Sequence, residues 1–354
     1  MPNNFWGKSK FTATQKAIFG YGASPAGTYR SMTNLVSNTG VVAADTPGVG
    51  TARRQLAAAG YGGDKAIFGY GANPATTVRS MTNLVSNTGV VAADTPGVGT
   101  ARTQLAAAGY GGDKAIFGYG NTTVSLSMTN LVSSTGVVAA DTPGVGTARE
   151  GIASAGYGGD KAIFGFGIVP VTNLVSNTGV VATNTPFVGT ARTQPTGAGY
   201  GGDKAIFGFG VFPNTPVIYY SITNLVSNTG VVATNTPFVG TARTQPTGAG
   251  YGGDKAIFGF GVFPNTPVVY YSITNLVSNT GVVATNTPGV GTGRYGLAAA
   301  GYGGDKALFG FGFNPAPLSI TNLVSNTGVV AADTPGVPGA TARFQLAAAG
   351  YSST

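Results

Sequence analysis

The chain of 354 residues contains no cysteine and no histidine. The first absence removes disulfides, thiolate metal sites and cysteine nucleophiles. Without histidine as well, the usual zinc and copper sites and the Ser-His and Cys-His catalytic pairs are excluded. No cofactor or metal is expected. Charge is also scarce, at 8% of residues against about 25% in an average protein. The 19 basic and 11 acidic residues give a net charge of +8. They are scattered one or two per repeat, without the interleaved aromatics of single-strand binders, which disfavours nucleic acid as a partner. No stretch reaches the ~18 apolar residues of a membrane span, so membrane insertion is not expected. The opening MPNNFWGKSKFTATQ lacks the apolar core of a signal peptide, which points to a chain made in a host cytoplasm.

Glycine and proline, by contrast, are abundant at 59 and 20 residues, well above average usage, and they work against long helices. The dominant feature is self-similarity. The motif K-A-[IL]-F-G-[YF]-G begins at Lys16, Lys65, Lys114, Lys161, Lys204, Lys255 and Lys306, with spacings of 49, 49, 47, 43, 51 and 51 residues. This period fits propeller blades and is too long for a rung of a β-helix. In the unit through Lys65, Leu56–Gly60 reads as a first strand, followed by the turn Tyr61-Gly62-Gly63-Asp64 and a second strand over Lys65–Gly71. A variable loop leads to a third strand over Ser80–Ser86. The turn Asn87-Thr88-Gly89 then leads to a fourth strand over Val90–Ala93.

These segments resemble kelch-type repeats, in the arginine before the first strand and the apolar-then-glycine second strand. The sequence departs from that pattern in lacking an outer-strand tryptophan, where Val41-Val42 and their equivalents stand, and in having Gly-Tyr-Gly or Gly-Phe-Gly where paired glycines are usual. The resemblance implies an all-β, seven-bladed β-propeller of four-stranded antiparallel blades. It would span residues 16–354 behind an N-terminal extension of residues 1–15. The chain starts at a second strand and ends on an orphan first strand, Leu346–Gly350, so pairing of the C-terminal strand with the N-terminal blade is expected to close the circle. Ala-Ala-Ala-Gly suits a crowded inner strand. The phenylalanines Phe19, Phe68, Phe117, Phe164, Phe207, Phe258 and Phe309 are expected to fill the space between blades.

Two sets of repeated polar residues require a reading. Asp64, Asp113, Asp160, Asp203, Asp254 and Asp305 precede the motif lysines, with Gln15 in the first copy. Their Gly-Gly-Asp setting points to turn chemistry rather than a cation site. Arg53, Arg102, Arg149, Arg192, Arg243, Arg294 and Arg343 recur once per unit. They read as structural ties that cap loop carbonyls, in preference to a surface for an anionic polymer. Other acids are Asp45, Asp94, Asp141, Asp333 and Glu150. The four aspartates share one repeat position that becomes Asn184, Asn235 and Asn286 elsewhere. A repeating Asp/Asn position does not read as an acid–base pair, so no enzyme is expected. Gly7-Lys8-Ser9 lacks the upstream glycine of a phosphate-binding loop, and Gly97-Val98-Gly99 and Gly111-Gly112 precede no helix. The sequon Asn121-Thr122-Thr123 carries little weight without an export signal.

Variation concentrates in the loop between the second and third strands. It shrinks to Ile168-Val169-Pro170-Val171 in the fourth unit and lengthens over 211–220 and 262–271 in the fifth and sixth. Candidate binding residues are therefore Tyr29, Arg30, Arg79, Phe212, Tyr219, Tyr220, Phe263, Tyr270 and Tyr271, on the face that also carries the arginine position. The charge-poor surface and nearly copied repeats resemble bacteriophage virion proteins of the tail-fibre or adhesin kind. That resemblance implies a virion location, with other virion proteins or a host-surface glycan or protein as partners. A soluble lectin with repeated glycan sites between blades, and a kelch-like protein-interaction adaptor, are the alternatives.

Overall fold

The structure is a computed structural model that describes residues 15–352, except 74–76, Phe187, Phe238 and Val337. The expected N-terminal extension, save Gln15, and the Gly7-Lys8-Ser9 motif lie outside the described residues. Their regular elements are all strands, apart from one short 3-10 turn over Pro25–Gly27.

Seven three-stranded antiparallel sheets follow the seven sequence repeats, and two further two-stranded hairpins belong to the long loops. In each sheet the K-A-[IL]-F-G strand lies in the middle. One such sheet joins Ala57–Tyr61, Lys65–Gly69 and Thr82–Val85, with Phe68 opposite Ala58 on one side and Asn83 on the other. The middle strand is apolar without alternation because both its faces are covered; Ala66, Ile67 and Phe68 are wholly buried. The first sheet takes its third member from the far end of the chain, where Ala347–Tyr351 pairs antiparallel with Lys16–Gly20.

Two strand expectations need correction. The first strand is Ala57–Tyr61 rather than Leu56–Gly60, because Tyr61 pairs with Lys65 and is buried beside Leu84 and the next unit's Gly136. The expected fourth strand is only partly formed: Ser86 N–H donates to Val90 at 2.9 Å and Ala92 N–H to Leu84 at 2.8 Å, with a bridge from Val91 to Val85. The pairing slips by one residue before Thr95 bridges Thr82, which interrupts the strand. Ser86 Oγ accepts from the backbone of Thr88 and Val90 and holds the turn that leads into this pairing.

The described residues form no single central core. Seven apolar clusters each lie between consecutive sheets. One gathers Ala57, Ala59, Tyr61, Ile67 and Tyr70 with Leu105, Ala115, Phe117 and Val132 of the next repeat. The equivalent cluster between the last and first sheets holds Phe311 and Leu308 against Phe19, Ala17 and Val36. First strands rest against first strands from Ala57–Tyr61 through Ala298–Tyr302 to Ala347–Tyr351, and this last strand also rests against Ala57–Tyr61. Small residues allow that approach, as each strand edge is spanned by alanine and glycine.

The glycine that ends each middle strand has a packing role. A Cβ on Gly69 would lie 2.7 Å from Phe117 Cζ, so the phenylalanine of one repeat seats on the bare backbone of the one before. Gly69→Ala is expected to lower stability by about 1–3 kcal/mol through overpacking. Gly60→Ala, whose nearest neighbour is at 3.6 Å, should change stability by no more than about 0.5 kcal/mol. Equal urea midpoints for the two variants would refute this account.

Candidate functional site

All seven repeat arginines are wholly buried between sheets, with no solvent exposure. Each guanidinium bridges two repeats. Nη1 donates to the threonine carbonyl two residues earlier, at 2.9–3.2 Å. Nη2 donates to the asparagine of the T-N-L-V strand in the following sheet, as Arg53 does to Asn83 at 2.5 Å and Arg243 to Asn275 at 2.8 Å. The flat cation also lies over the aromatic ring of the preceding unit's Gly-[Tyr/Phe]-Gly, 3.9–4.3 Å from its centroid.

Those aromatics, Tyr21, Tyr70, Tyr119, Phe166, Phe209, Phe260 and Phe311, all stand in the left-handed backbone region at φ 61–66°. Such a conformation costs of order 1 kcal/mol and persists only where its surroundings impose it. Here the ring is held between the guanidinium and the next repeat's phenylalanine, as Tyr70 is beside Phe117 at 5.2 Å. The following glycine donates its N–H to the arginine carbonyl, Gly71 to Arg102 at 2.9 Å. The joint between the last and first repeats is built alike: Arg343 covers Phe311, donates to Asn34 and pairs with Asp45 at 3.3 Å.

The Asp/Asn position completes the joint. Asp94 Oδ2 accepts from the backbone and hydroxyl of Thr51, Oδ1 accepts from Asn83, and Arg53 lies 3.6 Å away. Burial acts to raise its pKa, but these hydrogen bonds and the arginine charge outweigh it, so the carboxyl titrates below the ordinary value; Asp45 and Asp141 behave alike. At Arg149, Arg192 and Arg243 asparagines stand instead: Oδ1 of Asn184, Asn235 and Asn286 accepts from the threonine N–H, and Nδ2 donates to the threonine hydroxyl, which keeps the contact without charge and reverses the hydroxyl bond. Burial pushes Arg192 and Arg243 down to about 9, which leaves them protonated at neutral pH. No carboxylate faces these two guanidinium groups among the described residues.

The opposite end of the sheets carries the Gly-Gly-Asp turns. Each aspartate pairs with its adjacent lysine at 3.0–3.3 Å, and Asp64, Asp160, Asp203, Asp254 and Asp305 also accept from an asparagine of the same repeat. Their carbonyls link the repeats: Gly62 donates to Asp113, Gly111 to Asp160, and so on to Gly252 and Asp305, with Gly303 to Gln15 and Ser352 to Asp64 at the chain ends, all at 2.6–2.9 Å. A cavity of about 350 Å³ opens among these turns. Among the described residues no group of three or more His, Cys, Asp or Glu is placed to hold a metal, and no helix is long and apolar enough to cross a membrane.

The variable loops lie at the arginine end. The loops of the fifth and sixth repeats form hairpins, Val211–Phe212 with Ile218–Tyr219 and Val262–Phe263 with Val269–Tyr270. Tyr219 meets Phe263 edge to face at 4.7 Å and its hydroxyl reaches Asn265 at 3.4 Å. Tyr270 stacks on Tyr295 at 5.9 Å, Tyr295 meets Phe313, and Phe313 meets Phe344. Val217, Ile218, Val268 and Val269 remain exposed on the hairpins, while Phe212, Tyr220 and Tyr271 are half-buried. Tyr29 is buried beneath the guanidinium of Arg54. Arg30 donates to Ser24 Oγ at 2.9 Å, and Arg79 Nε has no partner among the described residues.

Sequence reasoning selected the loop residues but passed over the residue directly after each buried arginine. That position reads Arg54, Thr103, Glu150, Thr193, Thr244, Tyr295 and Phe344. In every repeat but that of Glu150 it bridges to a variable loop, as Arg54 does to Ala72 and Tyr295 to Phe313. Its signal was available: it is variable between a constant arginine and a nearly constant glutamine. Gln55, Gln104, Gln194, Gln245 and Gln345, at φ 51–53°, together with Gly151, line a cavity of about 270 Å³ at this end.

No family model matches the sequence, and no curated protein matches it. Among solved structures, that of YjhT superposes on 77% of this chain and 95% of its own, with a TM-score of 0.54 and 12% sequence identity. Likeness at that identity concerns the fold alone, and with the repeated small sheets it fits a propeller-like repeat protein.

The joint also fixes a response to acid. A carboxylate whose folded pKa lies below its unfolded value of about 3.9 stabilises the fold fully above that value, and the stabilisation is lost as pH falls through the folded pKa. Asn235→Asp would give Arg192 the partner that Arg53 has. It is expected to raise stability by about 1 kcal/mol at pH 7, and the gain should be lost at a pH well below the unfolded carboxyl value of about 3.9. Melting curves of parent and variant at both pH values check this, and a gain that survives acid would refute it.

Proposed function

We propose that the chain forms a closed seven-bladed propeller of kelch-like kind that serves as a non-enzymatic recognition or assembly module of a virion, of the phage fibre or adhesin type. Closure is supported by the sameness of the seventh joint, where Arg343, Asn34 and Phe311 repeat the contacts of the other six and Asp45 repeats the ion pair of three of them. The chain-end bonds Gly303 to Gln15 and Ser352 to Asp64 support it too. The virion assignment rests on the resemblance in composition and repeat regularity to phage proteins.

The observation that carries the recognition reading is the confinement of variation to one face. There the exposed hairpins of the fifth and sixth repeats rise beside a row of half-buried aromatics, while the fourth repeat's loop is reduced to four residues. Aromatic groups with an apolar face and a polar tip suit contact with a saccharide or a protein surface. The remaining surfaces repeat almost unchanged around the molecule.

The test is a variant in which residues 211–220 and 262–271 are replaced by the short loop found at 168–171. Antibody labelling of purified phage particles is expected to show the protein on the virion. Binding of the free protein to host cells should fall at least about tenfold in the variant with its melting temperature preserved. Unlabelled particles together with loop-independent cell binding would overturn the proposal.

A further inference from the structure

The arginine end of the sheets holds a second feature, separate from the hairpins. Two residues after each buried arginine the chain turns through a left-handed conformation, and five of these seven positions carry glutamine, at φ 51–53°. Gly151 and Gly296 take the same turn in the other two repeats. Glycine adopts it without strain, so the glutamine side chain is kept five times at a cost to the backbone. Backbone bonds join these positions across repeats: Gln55 donates to Gln345 at 3.1 Å, Gly151 to Gln104 at 3.2 Å, and Gln194 to Gly151 and Gln345 to Gly296 at 2.7 Å. Six of the seven positions line one cavity of about 270 Å³.

The fold does not consume these carboxamides. Thr103 Oγ1 donates to Gln55 Oε1 at 3.3 Å and Thr244 Oγ1 to Gln194 Oε1 at 2.8 Å, and Gln345 Oε1 is closed to solvent. The amide oxygens of Gln104 and Gln245, and the amide nitrogens of all five glutamines, have no hydrogen-bond partner among the described residues and are not shut away from solvent. The rest of the lining is apolar, with Leu56, Leu105, Ile152 and Leu346 presenting only their edges. Among the described residues no charged side chain lines this cavity, and it shares no lining residue with the cavity among the Gly-Gly-Asp turns.

We propose that this glutamine-lined mouth binds one neutral sugar residue bearing an acetamido group. The site goes beyond the recognition reading, which rests on the hairpins, and the two stand or fall separately. With no charge in the lining, an ionised ligand would lose hydration and gain no counter-ion, so the ligand is neutral. A carboxamide donates and accepts in one plane, and its complement is a hydroxyl or another amide. Amides drawn from five repeats suit a compact ligand with polar groups around its rim, as a pyranose has, better than an extended chain. The leucine and isoleucine edges call for a methyl group beside those polar groups. An acetamido group meets both demands at once. The cavity of about 270 Å³ is near the lower end of ligand pockets, about 300 Å³, as suits a single sugar ring.

Ligand-observed NMR titration of the full chain with N-acetylglucosamine and N-acetylgalactosamine, against glucose, galactose and the neutral peptide amide N-acetylalanine methylamide, tests the assignment. At least one acetamido sugar is expected to bind about tenfold or more tightly than its parent hexose and than the peptide amide. Gln104→Gly combined with Gln245→Gly should remove that preference without lowering the melting temperature, since glycine already serves at Gly151 and Gly296. Gln104→Glu, which keeps the size of the side chain and replaces the amide with a charge, should weaken binding by at least about threefold. Shortening the hairpins at 211–220 and 262–271 should leave the preference intact. No preference for either acetamido sugar, equal binding of the peptide amide, or a preference that survives the glutamine variants would overturn this inference. A preference lost with the hairpins would move the sugar to the aromatic row and overturn it too. If loop-dependent cell binding persists while acetamido sugars fail, only this site is refuted.

Discussion

A buried guanidinium between consecutive sheets is the interaction on which the rest of the structure depends. An arginine without solvent exposure needs partners for its charge and for its outer donors. Here one Nη meets a carbonyl, another an asparagine oxygen, and the flat face meets an aromatic ring, while among the described residues Nε finds an acceptor only at Arg294. Each of these partners in turn imposes a sequence requirement. The asparagine fixes the register of the third strand. The aromatic must sit in a left-handed turn, which flanking glycines permit, and the end of the middle strand must be glycine so that the next phenylalanine can close over it. The near-identity of the repeats at T-[AG]-R, G-[YF]-G and T-N-L-V follows from this one joint.

The joint also explains how a chain with so few charges spends them. Most arginines and lysines, and nearly all the acids, are committed within or between repeats. Where the carboxylate is absent, at Arg149, Arg192 and Arg243, the amide of Asn184, Asn235 or Asn286 supplies the same geometry. Coulombic pairing is therefore secondary to hydrogen bonding and ring stacking, since the arrangement survives without it. Among the described side chains left over, Arg54 and Arg79 lie with the variable loops, where the hairpins and the aromatic row also stand.

Much of the fold was legible in the sequence, because a repeat of strand-forming segments punctuated by glycine admits few architectures. The seven units, the middle strands and the buried phenylalanines were read from Lys16, Lys65 and their equivalents. Tyr61 was misplaced because a tyrosine beside two glycines reads as turn, while its burial depends on the next repeat's Gly136. The fourth segment reads as strand by composition and does bond to the third at Val90 and Ala92, but its register slips by one residue before Thr95, which composition does not show. At the site, Tyr219, Phe263 and Tyr270 were visible as loop aromatics. Their partners Tyr295 and Phe344 were hidden by lying beside the repeat arginines, where constancy drew attention from the one position that varies.

The central claim is that seven equivalent arginine joints hold one another in place, including the joint that links the chain ends. The most direct measurement is the urea unfolding free energy of Arg343→Met beside that of Arg102→Met. Equivalence requires both to lose several kcal/mol, about 3–5, and to keep a single transition. A small loss at Arg343 with an undiminished one at Arg102 would show that the terminal joint is not part of the frame and would contradict the account.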